Sequence, residues 1–116
     1  MTLVYKILPR AEWDQAVAEG WFEGSAIDRK DGFIHFSSAG QAQETARRHF
    51  HGQGDLMLVA VPAKALGASL RWEPSRGGDL FPHLYGPLET SLAVEVRPLA
   101  LDAHGTPDVG PLETSL

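Results

Sequence analysis

The chain has 116 residues, 43% of them hydrophobic, no cysteine, and a formal charge of -5. That length holds one domain with one core. The acidic balance excludes a surface built to neutralise phosphates, so no nucleic-acid partner is expected. Without cysteine there are no disulfides, thiolate metal sites or cysteine nucleophile. No apolar run is long enough for a membrane span or a secretory signal, so no membrane partner and a cytoplasmic location are the expectation.

In chain order, Leu3, Val4, Tyr5, Ile7 and Leu8 around Lys6 read as a first strand ended by Pro9. A helix follows over 10–19, with Trp13, Ala16 and Val17 at helical spacing and Gly20 as its stop. Residues 21–30 read as a connection in which Trp21 and Phe22 close over the core. Asp31-Gly32 turns the chain into a strand over 33–37, with Phe33, His35 and Ser37 on one face and Ile34 and Phe36 on the other.

Ser38-Ala39-Gly40-Gln41 matches a capping box, which predicts a helix to about Phe50 with Ala42, Ala46, His49 and Phe50 inward. The Arg47-Arg48 pair, close to Glu44, belongs to its solvated face. The junction places unpaired N–H groups near His35 and Ser37, so Ser37 either caps the helix or helps bind an anion. Leu56 to Val61 is a continuous apolar run, the pattern of a strand buried on both faces.

Leu70-Arg71-Trp72-Glu73 resumes as a strand with Arg71 and Glu73 on one face, followed by a polar loop over 75–79 that could cover a site. In the next segment Phe81, His83 and Tyr85 alternate with apolar residues. Pro82, Gly86 and Pro87 favour a loop or edge there over a central strand. Leu92 to Arg97 closes the fold as a last strand with Leu92, Val94 and Val96 on one face. The domain is expected over 1–102, with 103–116 a flexible C-terminal tail. Gly86-Pro87-Leu88-Glu89-Thr90-Ser91-Leu92 recurs letter for letter at 110–116, which reads as a local duplication, since two short copies build no solenoid.

The candidate site is a polar cluster with His35, Glu73 and His83 as catalytic groups and Ser37, Tyr85, Phe81 and Trp72 as ligand contacts. Imidazoles titrate near neutral pH, and a carboxylate beside a ring can wall a pocket. A metal is not expected: His49 and His51 diverge on a helix, His104 lies in the tail, and His35, Glu73 and His83 lack ligand spacing. There is no Gly-x-Ser-x-Gly elbow and no glycine-rich phosphate loop. A histidine satisfied within a purely structural polar core is the plain alternative.

The motifs Asp31-Gly32-Phe33-Ile34-His35 with Ser37, Gln41 or Gln43, the Leu58 strand, Trp72-Glu73 and Phe81-Pro82-His83-Leu84-Tyr85 resemble domain-of-unknown-function family 952, small bacterial and plant proteins, over about residues 3–98. The resemblance implies an α+β domain similar to the ADP-ribosyltransferase fold, with two short mixed or antiparallel sheets and two main helices. By that likeness His35-Phe36-Ser37 is similar to a His-Gly-Ser motif lining a nicotinamide pocket, with phenylalanine in place of glycine. His35 would then meet a ribose hydroxyl, Ser37 the nicotinamide amide, and Tyr85 the ring. The implied ligand is a small nucleotide such as NAD or ADP-ribose. The implied activity is ribosyl transfer, and the alternative is a non-catalytic ligand-binding or regulatory domain.

Overall fold

The computed structural model describes residues 2–114. Its strands are β1 (Leu3–Pro9), β2 (Trp21–Phe22), β3 (Ile34–His35), β4 (Leu56–Pro62), β5 (Leu70–Pro74), β6 (Leu80–Leu84), β7 (Leu88–Glu89), β8 (Glu95–Leu101) and β9 (Pro107–Asp108). Its α-helices are α1 (Arg10–Glu19), α2 (Ala26–Asp31), α3 (Ala42–His49) and α4 (Ala63–Leu66). The strands form three sheets, ordered β1-β4-β8-β9, β2-β7 and β3-β6-β5, and every pairing among them is antiparallel.

β1 and β4 pair along their whole length, from Leu3 opposite Pro62 to Pro9 opposite Leu56. Both faces of this pair are covered, which is why β4 reads as an unbroken apolar run and β1 as one interrupted only by Lys6. Val4, Leu8, Met57, Val59 and Val61 point into one core with Trp13 and Ala16 of α1, Phe22, Ile34 and Leu84. Leu3, Tyr5, Ile7, Leu56, Leu58 and Ala60 point into a second core with Ala42 and Ala46 of α3. In α1, Trp13 and Ala16 are buried, whereas Val17 lies on the solvent side.

Several expectations need correction. There are three sheets among the described residues where two were expected, because the 21–30 segment is not a plain connection. It holds β2, which pairs with β7, and α2. Gly24 lets α2 approach closely: a Cβ there would stand 2.8 Å from the Cβ of Asp28. The strand expected over 33–37 is split between two sheets. Ile34 and His35 pair with β6, while Ser37 exchanges backbone hydrogen bonds with Tyr5 at the edge of β1.

The Pro82 segment is the central strand of its sheet, not a loop or edge. The carbonyl of Pro82 accepts the Phe36 N–H. A residue's N and C=O point the same way in a strand, so the missing donor falls just past the end of two-residue β3, where the ladder has already stopped. The helix after Ser38 begins at Ala42. The Gln41 side chain does reach back to the Ser38 N–H, but His49 is exposed. The last long strand is β8, shifted to Glu95–Leu101. Leu92 sits in the short helical turn before it, and Val94 and Val96 face solvent.

The segment expected to trail from residue 103 is threaded into the structure as far as it is described. β9 extends the four-stranded sheet, and Val109 is buried. The chain then curls round to the far edge, where the Leu3 N–H donates to Thr114 O and the Tyr5 hydroxyl to Glu113 O at 2.6 Å. The two copies of the repeat have different settings. Leu88 fills the first core, whereas Leu112 packs against the second; Ser115 and Leu116 lie outside the described residues. Removing residues 110–116 strands the buried Tyr5 hydroxyl and opens the β1 edge. The unfolding free energy should fall by about 2–3 kcal/mol in urea denaturation; an unchanged midpoint would mean that the segment is idle.

Candidate functional site

The three-stranded sheet has two unlike faces. Side chains directly opposite in an antiparallel pair share a face, so Ile34 with Leu84, and Leu84 with Leu70, turn toward the core. On the other face His35 stands opposite His83, Arg71 opposite His83, and Glu73 opposite Phe81. Two distant imidazole-bearing segments therefore meet in one register. Their ring centroids are 5.7 Å apart, edge to face.

Phe33 packs into this cluster, its ring stacked on His83 at 4.0 Å and tilted against His35 and Tyr85 at 4.6 and 5.2 Å. The stacking buries His83 almost completely while Tyr85 remains half open, with the Arg71 guanidinium 5.0 Å above its ring. One carboxylate oxygen holds the group together. Oε1 of Glu73 lies 2.9 Å from His83 Nδ1 and accepts the Tyr85 hydroxyl at 2.7 Å. The Tyr85 and His83 hydrogen bonds hold the Glu73 carboxyl below its usual range, and the same contact pushes the Tyr85 phenol up. An ionised Glu73 oxygen accepts the Nδ1–H of His83, and Nε2 of that ring has no hydrogen-bond partner among the described residues.

His35 is held in the opposite way, with both ring nitrogens engaged. Nδ1 is 2.6 Å from Asp28 Oδ1 and Nε2 is 2.9 Å from Asp31 Oδ2. Behind it lies a buried ion pair: Lys6 Nζ reaches both Asp28 oxygens at 3.1 and 2.9 Å, with each side chain under a tenth exposed. Asp28 also accepts the backbone N–H of Ser25 and of His35. Burial works to raise the Asp28 carboxyl, but the His35 hydrogen bond and the Lys6 ammonium outweigh it and bring the group down to about 2. Burial lowers the Lys6 ammonium despite its partner.

Of the predicted site residues, the fold brings His35, Glu73, His83 and Tyr85 together, with Phe81 buried beside Glu73 on the same face. Ser37 is buried elsewhere, its hydroxyl 2.8 Å from that of Thr45 on α3. Trp72 lies on the opposite face of β5 from Glu73 and is exposed. Phe33, Lys6, Asp28 and Asp31 complete the cluster without having been singled out for it. A lone lysine inside an apolar strand and the Asp28-x-x-Asp31 pair were the available signals. Beside the cluster a cleft of about 330 Å³ is walled by Glu23, Asp28, Arg29, Phe33, Leu84 and Pro87, among others. Among the described residues no group of three or more histidines, aspartates and glutamates is placed to hold a metal. No helix among them is long and apolar enough to cross a membrane.

These features define a small α+β domain with a curled antiparallel sheet and a polar, aromatic-lined face on a second sheet. The chain belongs to the family described as protein of unknown function (DUF952), whose model matches residues 7–96. It is similar to the X-ray structure of protein CC0527 from Caulobacter crescentus, with 58% identity, 93% of this chain and 95% of that one covered, and a TM-score of 0.91. The solution NMR structure of CC0527 is 59% identical over 95% of each chain, with a TM-score of 0.86. No curated protein matches the chain.

Two outcomes follow from the ion pair. Asp28→Ala leaves a buried ammonium uncompensated and should cost about 3–5 kcal/mol, much of which Lys6→Met with Asp28→Leu should recover. Because the folded Asp28 carboxyl lies near 2, below its ordinary value of 3.8, its stabilisation is complete above about pH 4 and is lost as pH falls toward 2. That loss is on the order of 2 kcal/mol. Urea midpoints across this window should slope less in Asp28→Asn than in the natural protein.

Proposed function

We propose that the His83 face binds a nucleotide of the NAD or ADP-ribose kind and carries out ribosyl transfer. The observation that supports this most is the single Glu73 oxygen shared by a buried imidazole and a half-open phenol. It combines a fixed carboxylate, a histidine with a free ring nitrogen, and aromatic surface for a base or sugar. In transfer, the bond from ribose C1′ to the leaving base breaks and the base keeps the electron pair. Positive charge develops on the ribose, and Oε2 of Glu73, which has no hydrogen bond among the described residues, is available to oppose it. An acceptor hydroxyl forms the new bond to C1′ and gives its proton to His83 Nε2. Arg71 over Tyr85 offers a counter-charge to a phosphate.

The His83 face, and not the stretch similar to a His-Gly-Ser motif, carries the proposed chemistry. His35 has both nitrogens engaged and Ser37 is turned toward Thr45, so His35 acts as a wall of the site and Ser37 as a buried structural hydroxyl. The same engagement of His35 favours, as a second reading, a binding domain without turnover.

Titration of the isotope-labelled protein with NAD and ADP-ribose should shift the signals of Phe33, His83 and Tyr85, and absence of binding at millimolar ligand ends the proposal. If nicotinamide release is detected, His83→Gln should slow it about 10²–10⁴-fold. Binding with no release in the presence of hydroxyl acceptors selects the second reading.

A further inference from the structure

A cleft of about 330 Å³ lies beside the cluster. Phe33, Ile34, Leu84 and Pro87 supply its apolar lining. Gly32 and Gly86 leave it open, since a Cβ built at either meets nothing within 4 Å. Two charged side chains complete the lining besides Asp28, whose carboxylate is already taken up by Lys6, Ser25 and His35. Arg29 is anchored through its Nε, which donates to Gly24 O at 3.1 Å. Its terminal nitrogens have no partner among the described residues, and neither does the Glu23 carboxylate. The two form no ion pair with each other.

A guanidinium supplies only donors and a carboxylate only acceptors. A planar ring whose edge carries an acceptor next to an N–H donor satisfies both, while its faces lie against the apolar walls. We propose that this cleft binds an aromatic ring bearing such an edge, an aryl carboxamide or an amide-edged base, with its carbonyl toward Arg29 and its N–H toward Glu23. The proposal goes beyond the ribosyl-transfer reading, because it stands whether or not His83 moves a proton. Phe33 is the shared wall: it lines the cleft and stacks on His83, so a ring bound there borders the cluster directly.

Three probes of one shape separate the chemistry. Benzamide offers one acceptor and one donor group, benzoate only acceptors, and benzamidinium only donors. In a titration of the full chain followed by backbone amide signals, benzamide should shift Gly32, Ile34, Leu84 and Gly86. Benzoate and benzamidinium should each bind about tenfold more weakly, the worth of one mismatched hydrogen bond. Glu23→Gln, on an exposed side chain, should bring benzoate to within about threefold of benzamide, since the repelling charge is gone.

Equal affinities for the three probes overturn the proposal, as does an unchanged benzoate to benzamide ratio in Glu23→Gln. No shift at the four reporters up to the solubility limit of benzamide does the same. Glu23 and Arg29 also line a neighbouring cleft of about 320 Å³ that includes Gln15 and Trp21. Shifts confined to those residues, with a change in tryptophan fluorescence, would place the ligand there and refute the assignment. NAD binding at Tyr85 is read from different signals, so the failure of either idea is visible without the other.

Discussion

The carboxylate of Asp28 is the interaction on which the rest of the molecule depends. It takes hydrogen bonds from the Lys6 ammonium on β1, from the Ser25 and His35 backbone, and from the His35 ring. One anion thus ties the four-stranded sheet, the start of α2 and the entry to the three-stranded sheet at a single buried point. Replacing such a pair by apolar groups of matching volume can leave a protein as stable or more so, whereas removing one partner is costly. Its physical yield is therefore position: it sets where β3 begins and the plane in which the His35 ring stands.

From that point the polar face of the second sheet is built in layers. Asp28 and Asp31 hold His35, Phe33 fills the space between the two imidazoles, and the stacked His83 is left with Glu73 as its hydrogen-bonded partner. Glu73 in turn orients Tyr85, which carries Arg71 above it. The two histidines look alike in sequence but have opposite surroundings. One has both nitrogens against carboxylates, and the other has one nitrogen committed and one left over.

Much of the frame was legible beforehand because the signals were local. The β1 and β4 runs, the α1 bounds with Gly20 as stop, and the shared face of Arg71 and Glu73 all follow from side-chain period and from residues that begin or end elements. Alternation placed Phe81, His83 and Tyr85 on one side of their segment, but that His35 stands beside them follows from strand pairing. What escaped was set by partners far along the chain. Pro82 sits in a central strand because β3 is only two residues long. Ser37 turns away from His35 because Tyr5 offers its backbone at the β1 edge. The 110–114 segment is held because the far side of the sheet needs a cover.

By itself the sequence determined the class of the fold, the two apolar strands at its centre, and which residue types were available for chemistry, since period, turn residues and composition act over a few neighbours. Only the tertiary structure decided that Lys6 and Asp28 form a buried pair, that His35 is engaged at both nitrogens while His83 keeps one, and that Phe33 is shared between the cluster and the cleft. Each of those depends on which strand lies next to which, and strand order is a property of the whole chain's packing that no local pattern encodes.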